Sequence, residues 1–238
     1  MWLRKIYIQF YLNKPMKKYL FITMIVALGI SSANAQTAPA DEQANYTQVI
    51  TKRAEKIVSA LNITDSVKFK RVTEIVVNQY RNLSAIHDSR NAQVKDIKTK
   101  YADDKTTANT QTALIDSNVD KQLNILHASY LTKLGTELTP PQVDAVKDEM
   151  TYKILPLTYN AYLDELPNLT DPQKVQIKAW LVEAREHAID AESSEKKHAW
   201  FGKYKGRINN YLSAQGYDMK KAGEEWQQRI KDRSAQKG

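Results

Sequence analysis

The 238-residue chain contains no cysteine, which excludes disulfides, metal thiolates and a thiol nucleophile. Its formal net charge of +8 resembles the footprint of a nucleic-acid binder, but Arg4, Lys5, Lys14, Lys17 and Lys18, and no acidic residue, lie in the first 35 positions. The remainder holds 30 basic against 27 acidic residues, a net +3, so the sequence points to no nucleic-acid partner.

Those first 35 residues read as an export leader. Met16-Lys17-Lys18 is a charged n-region, Tyr19 to Ile30 a short apolar run, and Ala33-Asn34-Ala35 a small-residue cleavage site. Cleavage would leave Gln36 as the first residue. No cysteine follows the apolar run, so this is not a lipoprotein leader. A membrane span needs about 20 apolar residues, more than this run supplies. Residues 1–15 read as an upstream extension, with Met16 as the expected start. The expectation is a periplasmic or secreted protein, free of the membrane after cleavage, with one domain over residues 36–238.

From Asp41 to Leu134 there is neither glycine nor proline, which argues for long helices and against a sheet. Tyr46, Val49, Ile50, Ile57, Val58 and Leu61 recur at helical spacing. So do Val72, Ile75, Val76, Tyr80, Leu83 and Ile86, and then Leu123, Leu126, Tyr130, Leu131 and Leu134. The period lapses at Asp103-Asp104-Lys105-Thr106-Thr107. The long helices on either side are expected to pair as an antiparallel hairpin.

Three helix starts share one grammar: Ile63-Thr64-Asp65-Ser66, Leu138-Thr139-Pro140-Pro141-Gln142 and Leu169-Thr170-Asp171-Pro172-Gln173. In each, the threonine is the expected N-cap. Gln142 and Gln173, three residues on, complete capping boxes, and Leu138 can staple onto Val143. The later two copies resemble the LTxxQ pattern of a periplasmic helical family that includes stress chaperones. Good capping alone also explains them.

Further along, one helix is expected over Gln142 to Ile154, ended by Pro156, and a short helix or turn over Tyr159 to Leu166. Another helix is expected from Asp171 to about Ala191. Ser193 or Ser194 should cap the next, which runs to Ala214 and stops at Gly216. A last helix spans Met219 to about Arg233, and the tail should fray. The fold class is therefore an all-α multi-helix bundle of six to eight helices, built on a long antiparallel helical hairpin.

Ser193 to Asp218, SSEKKHAWFGKYKGRINNYLSAQGYD, carries the most information. Residues 193–227 hold six of the fifteen aromatics downstream of residue 35. Gly202 and Gly206 interrupt a helical pattern, each at a cost of about 1 kcal/mol relative to alanine, so something is expected to approach that backbone closely. At 100° per residue, Phe201, Tyr204, Ile208, Leu212 and Tyr211 share a face, with Trp200 and Arg207 at its edge. One reading makes this face core and the glycines a seat for a neighbouring helix. The other makes the segment a carbohydrate site: sugar C–H faces stack on aromatic rings, and hydroxyl edges suit polar side chains. The candidate ligand-binding residues are His198, Trp200, Tyr204, Arg207, Asn209 and Asn210. Trp200 and Arg207 are expected to line a pocket.

That stretch resembles the signature of a family of secreted bacterial proteins, domain of unknown function 3826. The segments RVTEIVVNQYRNLSAIHD, LTPPQVDAVKDEMTY and LTDPQKVQIKAWLVEAREHA are similar to it too. The resemblance covers essentially the whole mature chain. It implies a setting among polysaccharide-degrading bacteria and sugar binding, and it carries over no catalytic residues.

Other constellations are less specific. Glu183, Glu186, His187 and Asp190 lie at helical spacing that suits a metal or a solvated charged face. Glu195 and His198 form a Glu-x-x-His, but no second copy exists to complete a di-iron set. His87 and His127 stand isolated. G-x-S-x-G, a phosphate-binding glycine loop and H-E-x-x-H are all missing. No cofactor is indicated. Three functions stay open: a non-catalytic carbohydrate-associated module, an LTxxQ-like periplasmic chaperone, and an enzyme acting on a polysaccharide fragment, with an oligosaccharide as the partner in the first and last.

Overall fold

A computed structural model describes residues 40–235, and among these residues there are eight helices and no strand. The leader and its cleavage site lie outside the described residues. The helices are α1 (Ala40–Ser59), α2 (Ser66–Lys100), α3 (Lys105–Glu137), α4 (Pro140–Met150), α5 (Ile154–Glu165), α6 (Asp171–Ile189), α7 (Ser194–Ala214) and α8 (Met219–Ala235).

The expected hairpin is α2 and α3, of 35 and 33 residues. At 1.5 Å per residue each is about 50 Å long. Arg71 pairs with Glu137, and Arg90 with Asp116, each at 2.8 Å. These two pairs set the antiparallel register at both levels of the hairpin. Asp104 caps α3 by accepting from the Thr107 N–H at 3.0 Å.

The helix starts follow their grammar with one change. Thr139 and Thr170 are N-caps whose capping boxes are closed by Gln142 and Gln173. In the first copy, however, Asp65 takes the cap from Thr64. Its carboxylate accepts from the Val67 and Lys68 N–H groups at 2.8 and 3.1 Å. No glutamine follows to close a box on Thr64, and a carboxylate is the stronger acceptor for orphan N–H groups.

The expected single helix over 142–154 is two. Helix α4 stops at Met150, and Tyr152 and Lys153 adopt left-handed backbone with φ of 58° and 55°. The Lys153 N–H donates to the Asp148 carbonyl at 2.7 Å. Helix α5 then begins at Ile154, with Pro156 in its first turn rather than at a helix end. A proline there forfeits no intrahelical bond, so Pro156 marks a start.

Two apolar clusters hold the bundle. Ile50, Ala54, Val58, Val72, Val76, Tyr130, Leu134, Val146 and Met150 fill the space between α1, α2, α3 and α4. Leu155, Tyr162, Ile177, Leu181, Ala184, Phe201, Ile208 and Leu212 join α5, α6 and α7. Helix α7 ends in a Schellman motif. Gly216 has φ of 90°, its N–H bonds the Ser213 carbonyl at 3.0 Å, and the Tyr217 N–H reaches the Leu212 carbonyl at 3.1 Å. Helix α8 buries no residue fully. It is tied to the end of α5 through Trp226, Arg229 and Arg233, which donate to Asp164 and, from Arg229, to the carbonyls of Asp164 and Glu165.

Candidate functional site

Helix α7 presents three faces. Phe201, Tyr204, Ile208 and Leu212 are buried and anchor it. The outermost strip carries Gly202 and Gly206, and an added Cβ at either would meet nothing within 4 Å. The expected close approach to this backbone is therefore not supplied by the described residues. Alanine would fit, with a helix-propensity gain of about 0.8–1.0 kcal/mol. Nothing in the packing accounts for the glycines.

The third face meets α6 in a ladder of rings and charges. The link between α6 and α7 is short, so the two helices run antiparallel and their side chains interleave in reverse order. His187 stacks on Trp200, with centroids 4.4 Å apart and planes 15° apart. The Tyr204 ring lies 6.3 Å from His187. Arg207 approaches Glu183 at 3.6 Å and lies over the Trp180 ring at 4.6 Å. Tyr211 meets Trp180 edge-on at 5.2 Å. Lys203 covers Trp200 at 5.1 Å from the ring centroid. Burial, and then the Glu183 carboxylate beside it, push the Tyr204 hydroxyl up to about 12, so it stays a hydrogen-bond donor. From residue 200 to 211 the ladder is about 16 Å long.

Of the six candidate residues, the structure brings Trp200, Tyr204 and Arg207 together on this ladder. Asn210 is exposed. His198 and Asn209 project to the opposite flank, toward the α4–α5 corner and α5. His198 stacks on Tyr152 at 5.5 Å, and its Nδ1 lies 2.8 Å from the Ser194 carbonyl. The Tyr162 hydroxyl donates to Asn209 Oδ1 at 2.6 Å. Lys197, beside His198, is buried, and its Nζ donates to the carbonyls of Met150 and Ile189 at 3.1 and 3.5 Å. These are the last residues of α4 and α6, so one ammonium caps two helix C-termini. Tyr217 donates to the Asn168 carbonyl and to Gln173 Oε1. The signature thus divides in function: Lys197, His198, Asn209 and Tyr217 tie α7 to its neighbours, and Trp200, Lys203, Tyr204 and Arg207 build the ladder.

The α6 half of the ladder, Trp180, Glu183 and His187, was not among the candidate ligand-binding residues, and Glu183 and His187 entered only as candidate metal ligands or a charged face. Its signal was present as an i, i+3, i+7 spacing on the helix directly before the signature. Seen with α7 as its antiparallel partner, that spacing marks a shared edge.

A second constellation lies across the bundle. The His127 Nδ1 is 2.6 Å from Asp190 Oδ2, and its Nε2 is 3.5 Å from Glu186 Oε2. Both ring nitrogens face carboxylates, which is the arrangement of an imidazolium donating twice. His87 Nε2 lies 2.9 Å from the Asp190 carbonyl. Lys147 bonds Glu186 Oε1 at 2.9 Å and Asp144 at 3.0 Å. Arg185 is buried and bonds Asp144 and Asp148 at 2.6 and 2.7 Å. The network joins α2, α3, α4 and α6. It divides the acidic group seen in the sequence, since Glu186 and Asp190 turn to His127 while Glu183 and His187 turn to the ladder. Among the described residues no group of three or more His, Asp or Glu is arranged to hold a metal ion.

The network makes stability depend on pH. Asp190 and then Glu186 raise His127 from 6.5 to about 9 against the opposing effect of burial. Burial disfavours the Glu186 carboxylate, but hydrogen bonds from His127 and Lys147 outweigh it and lower Glu186 from 4.5 to about 2. The His127 contribution is complete below pH 6.5 and is lost as pH rises through about 9. The Glu186 contribution is present above pH 4.5 and is lost as pH falls toward about 2. Lys197, lowered from 10.5 to about 8 chiefly by burial, works the other way on the alkaline side. The expected result is a thermal midpoint that is highest between about pH 4.5 and 6.5 and falls by a few degrees toward pH 8. Calorimetric scans across that range check it. A His127→Gln variant should lack the decline between pH 6.5 and 8, and a variant that keeps it would place the titration elsewhere.

No curated protein matches the chain. A family model described as "Protein of unknown function (DUF3826)" matches residues 47–232, which takes in every helix from α2 to α7, the ladder and the network. The chain belongs to the DUF3826 family of proteins of unknown function.

Proposed function

We propose that this protein is an exported, non-catalytic carbohydrate-binding module that holds an oligosaccharide along the α6–α7 ladder. The carrying observation is the pair of tryptophans, Trp180 and Trp200, set at the two ends of the ladder between one antiparallel helix pair. Each is covered on a ring face by one long cationic side chain, Arg207 or Lys203. A sugar ring stacks its C–H face where such a cation sits, and its hydroxyls find donors in Arg207 and Lys203. Glu183 is the ladder's single carboxylate, whereas glycoside hydrolysis ordinarily uses a pair. The LTxxQ copies, in contrast, are accounted for by their capping boxes and support no separate chaperone role.

Trp200→Ala and Arg207→Ala should each abolish binding in calorimetric titrations against a glycan panel. Trp200 is only half-buried, so its removal should cost less than the about 3–5 kcal/mol of a fully buried aromatic. Unaltered binding in both variants would remove the ladder from the site.

Export is supported by the charged, apolar and small-residue blocks of residues 16–35. The intact mass of the exported protein should correspond to a chain beginning at Gln36. A mass that still includes Met16 to Ala35 would refute cleavage.

A further inference from the structure

The ladder is unevenly charged. On α7, Lys196, Lys203 and Arg207 project to the ladder side and are exposed, and Asn210 is the polar residue beside them. Facing them from α6 is one carboxylate, Glu183, which Arg207 approaches at 3.6 Å. Among the described residues neither Lys196 nor Lys203 has a carboxylate within ion-pair distance. Several cations elsewhere among the described residues are paired instead. Arg71, Arg90, Lys147, Lys153, Arg185 and Arg233 each meet a carboxylate at 3.0 Å or less. On the ladder two cations rest on tryptophan rings, Lys203 on Trp200 and Arg207 on Trp180, whereas the cation–ring contacts elsewhere among the described residues are to tyrosines.

That arrangement distinguishes between sugars. A neutral sugar that stacks on Trp200 or Trp180 pushes the resident cation into water and forfeits its attraction to the ring. A sugar that carries a carboxylate on its edge displaces the same cation and supplies it with a new partner. The displaced contact is then replaced by a charge-assisted hydrogen bond. Spacing favours this exchange: Lys203 lies three residues from Trp200, and Arg207 four residues beyond Lys203, so ring and cation alternate along one helix edge.

We infer that the ligand of the ladder is an acidic, uronate-bearing oligosaccharide, a deepening that rests on the carbohydrate reading above. The ring takes the sugar face, and Lys203 and Arg207 take the carboxylates.

The test is titration of the exported protein with uronate trisaccharides of the galacto, gluco and manno series. Each is compared with its methyl ester, which keeps the ring and removes the charge. For at least one series the acid should bind roughly tenfold more tightly than its ester. Lys203→Gln should weaken the acid more than the ester, which narrows the gap. Inorganic tripolyphosphate serves as the charge control and should not compete. Equal affinity of acid and ester overturns the inference and leaves the carbohydrate reading standing. Competition by tripolyphosphate as strong as that of the acid overturns it by reducing the face to a surface for any anion. If neither acids, esters nor neutral glycans bind, the carbohydrate reading fails and the inference falls with it.

Discussion

Replacing Arg185 by leucine should cost the protein about 3 kcal/mol, the lower end of the range for breaking a buried ion pair. Arg185 is 4% exposed. It donates to Asp144 Oδ1 at 2.6 Å, Asp148 Oδ1 at 2.7 Å and Glu186 Oε1 at 3.2 Å, and its Nη1 reaches the Asp144 carbonyl at 3.4 Å. Leucine fills part of the volume but leaves Asp148 and Glu186 facing a low-dielectric interior with fewer counter-charges. Lys147 still reaches Asp144 and Glu186, and Asp144 is more than half exposed, which keeps the loss from the top of the range. Urea denaturation should show the midpoint shifted with little change in slope. Arg185→Lys should recover only part of the loss, because an ammonium cannot fork between α4 carboxylates as a guanidinium does. A change below 1 kcal/mol in Arg185→Leu would mean that α4 is held on α6 by its apolar contacts alone.

Phe201→Ala should destabilise by about 3–5 kcal/mol, as truncation of a buried aromatic does. Its ring is 1% exposed and sits in the cluster with Ile177, Leu181, Ile208 and Leu212. Alanine there leaves a cavity between α6 and α7, which support the ladder. Trp200, one residue earlier, lies at the edge of the same cluster and belongs to the ladder. The two neighbours should therefore separate cleanly. Phe201→Ala unfolds early in denaturant yet binds while folded, and Trp200→Ala unfolds almost normally and does not bind. A reversed pattern, with the large stability loss at Trp200, would make Trp200 the anchor and overturn the division of α7 into anchoring and ladder faces.

Much of this architecture was legible in the sequence, because its causes are local. Long stretches without glycine or proline, apolar residues at three- and four-residue steps, and capping threonines act within one or two turns of a helix. They determined the helical class, the α2–α3 hairpin, the starts of α4 and α6, and the Gly216 stop. The helical period also placed Phe201, Ile208 and Leu212 on one face, and their burial makes that face the anchor.

Tertiary structure decided what depends on partners distant in sequence. His127 meets Asp190 across 63 positions, and neither residue's neighbours announce the other. The split of α4 from α5 rests on left-handed Tyr152 and Lys153, two residues with no intrinsic preference for that conformation. The corner is held from elsewhere, by Lys197 on the Met150 carbonyl and His198 stacked on Tyr152. The same packing parts the candidate residues. His198 and Asn209 lie across the helix from Trp200 and Arg207, and only the docking of α5 on one flank and α6 on the other makes the first pair struts and the second part of an open ladder. Periodicity assigns a residue to a side of its own helix. Which neighbour covers that side is set by how the helices cross, and that in turn depends on the whole set of buried contacts.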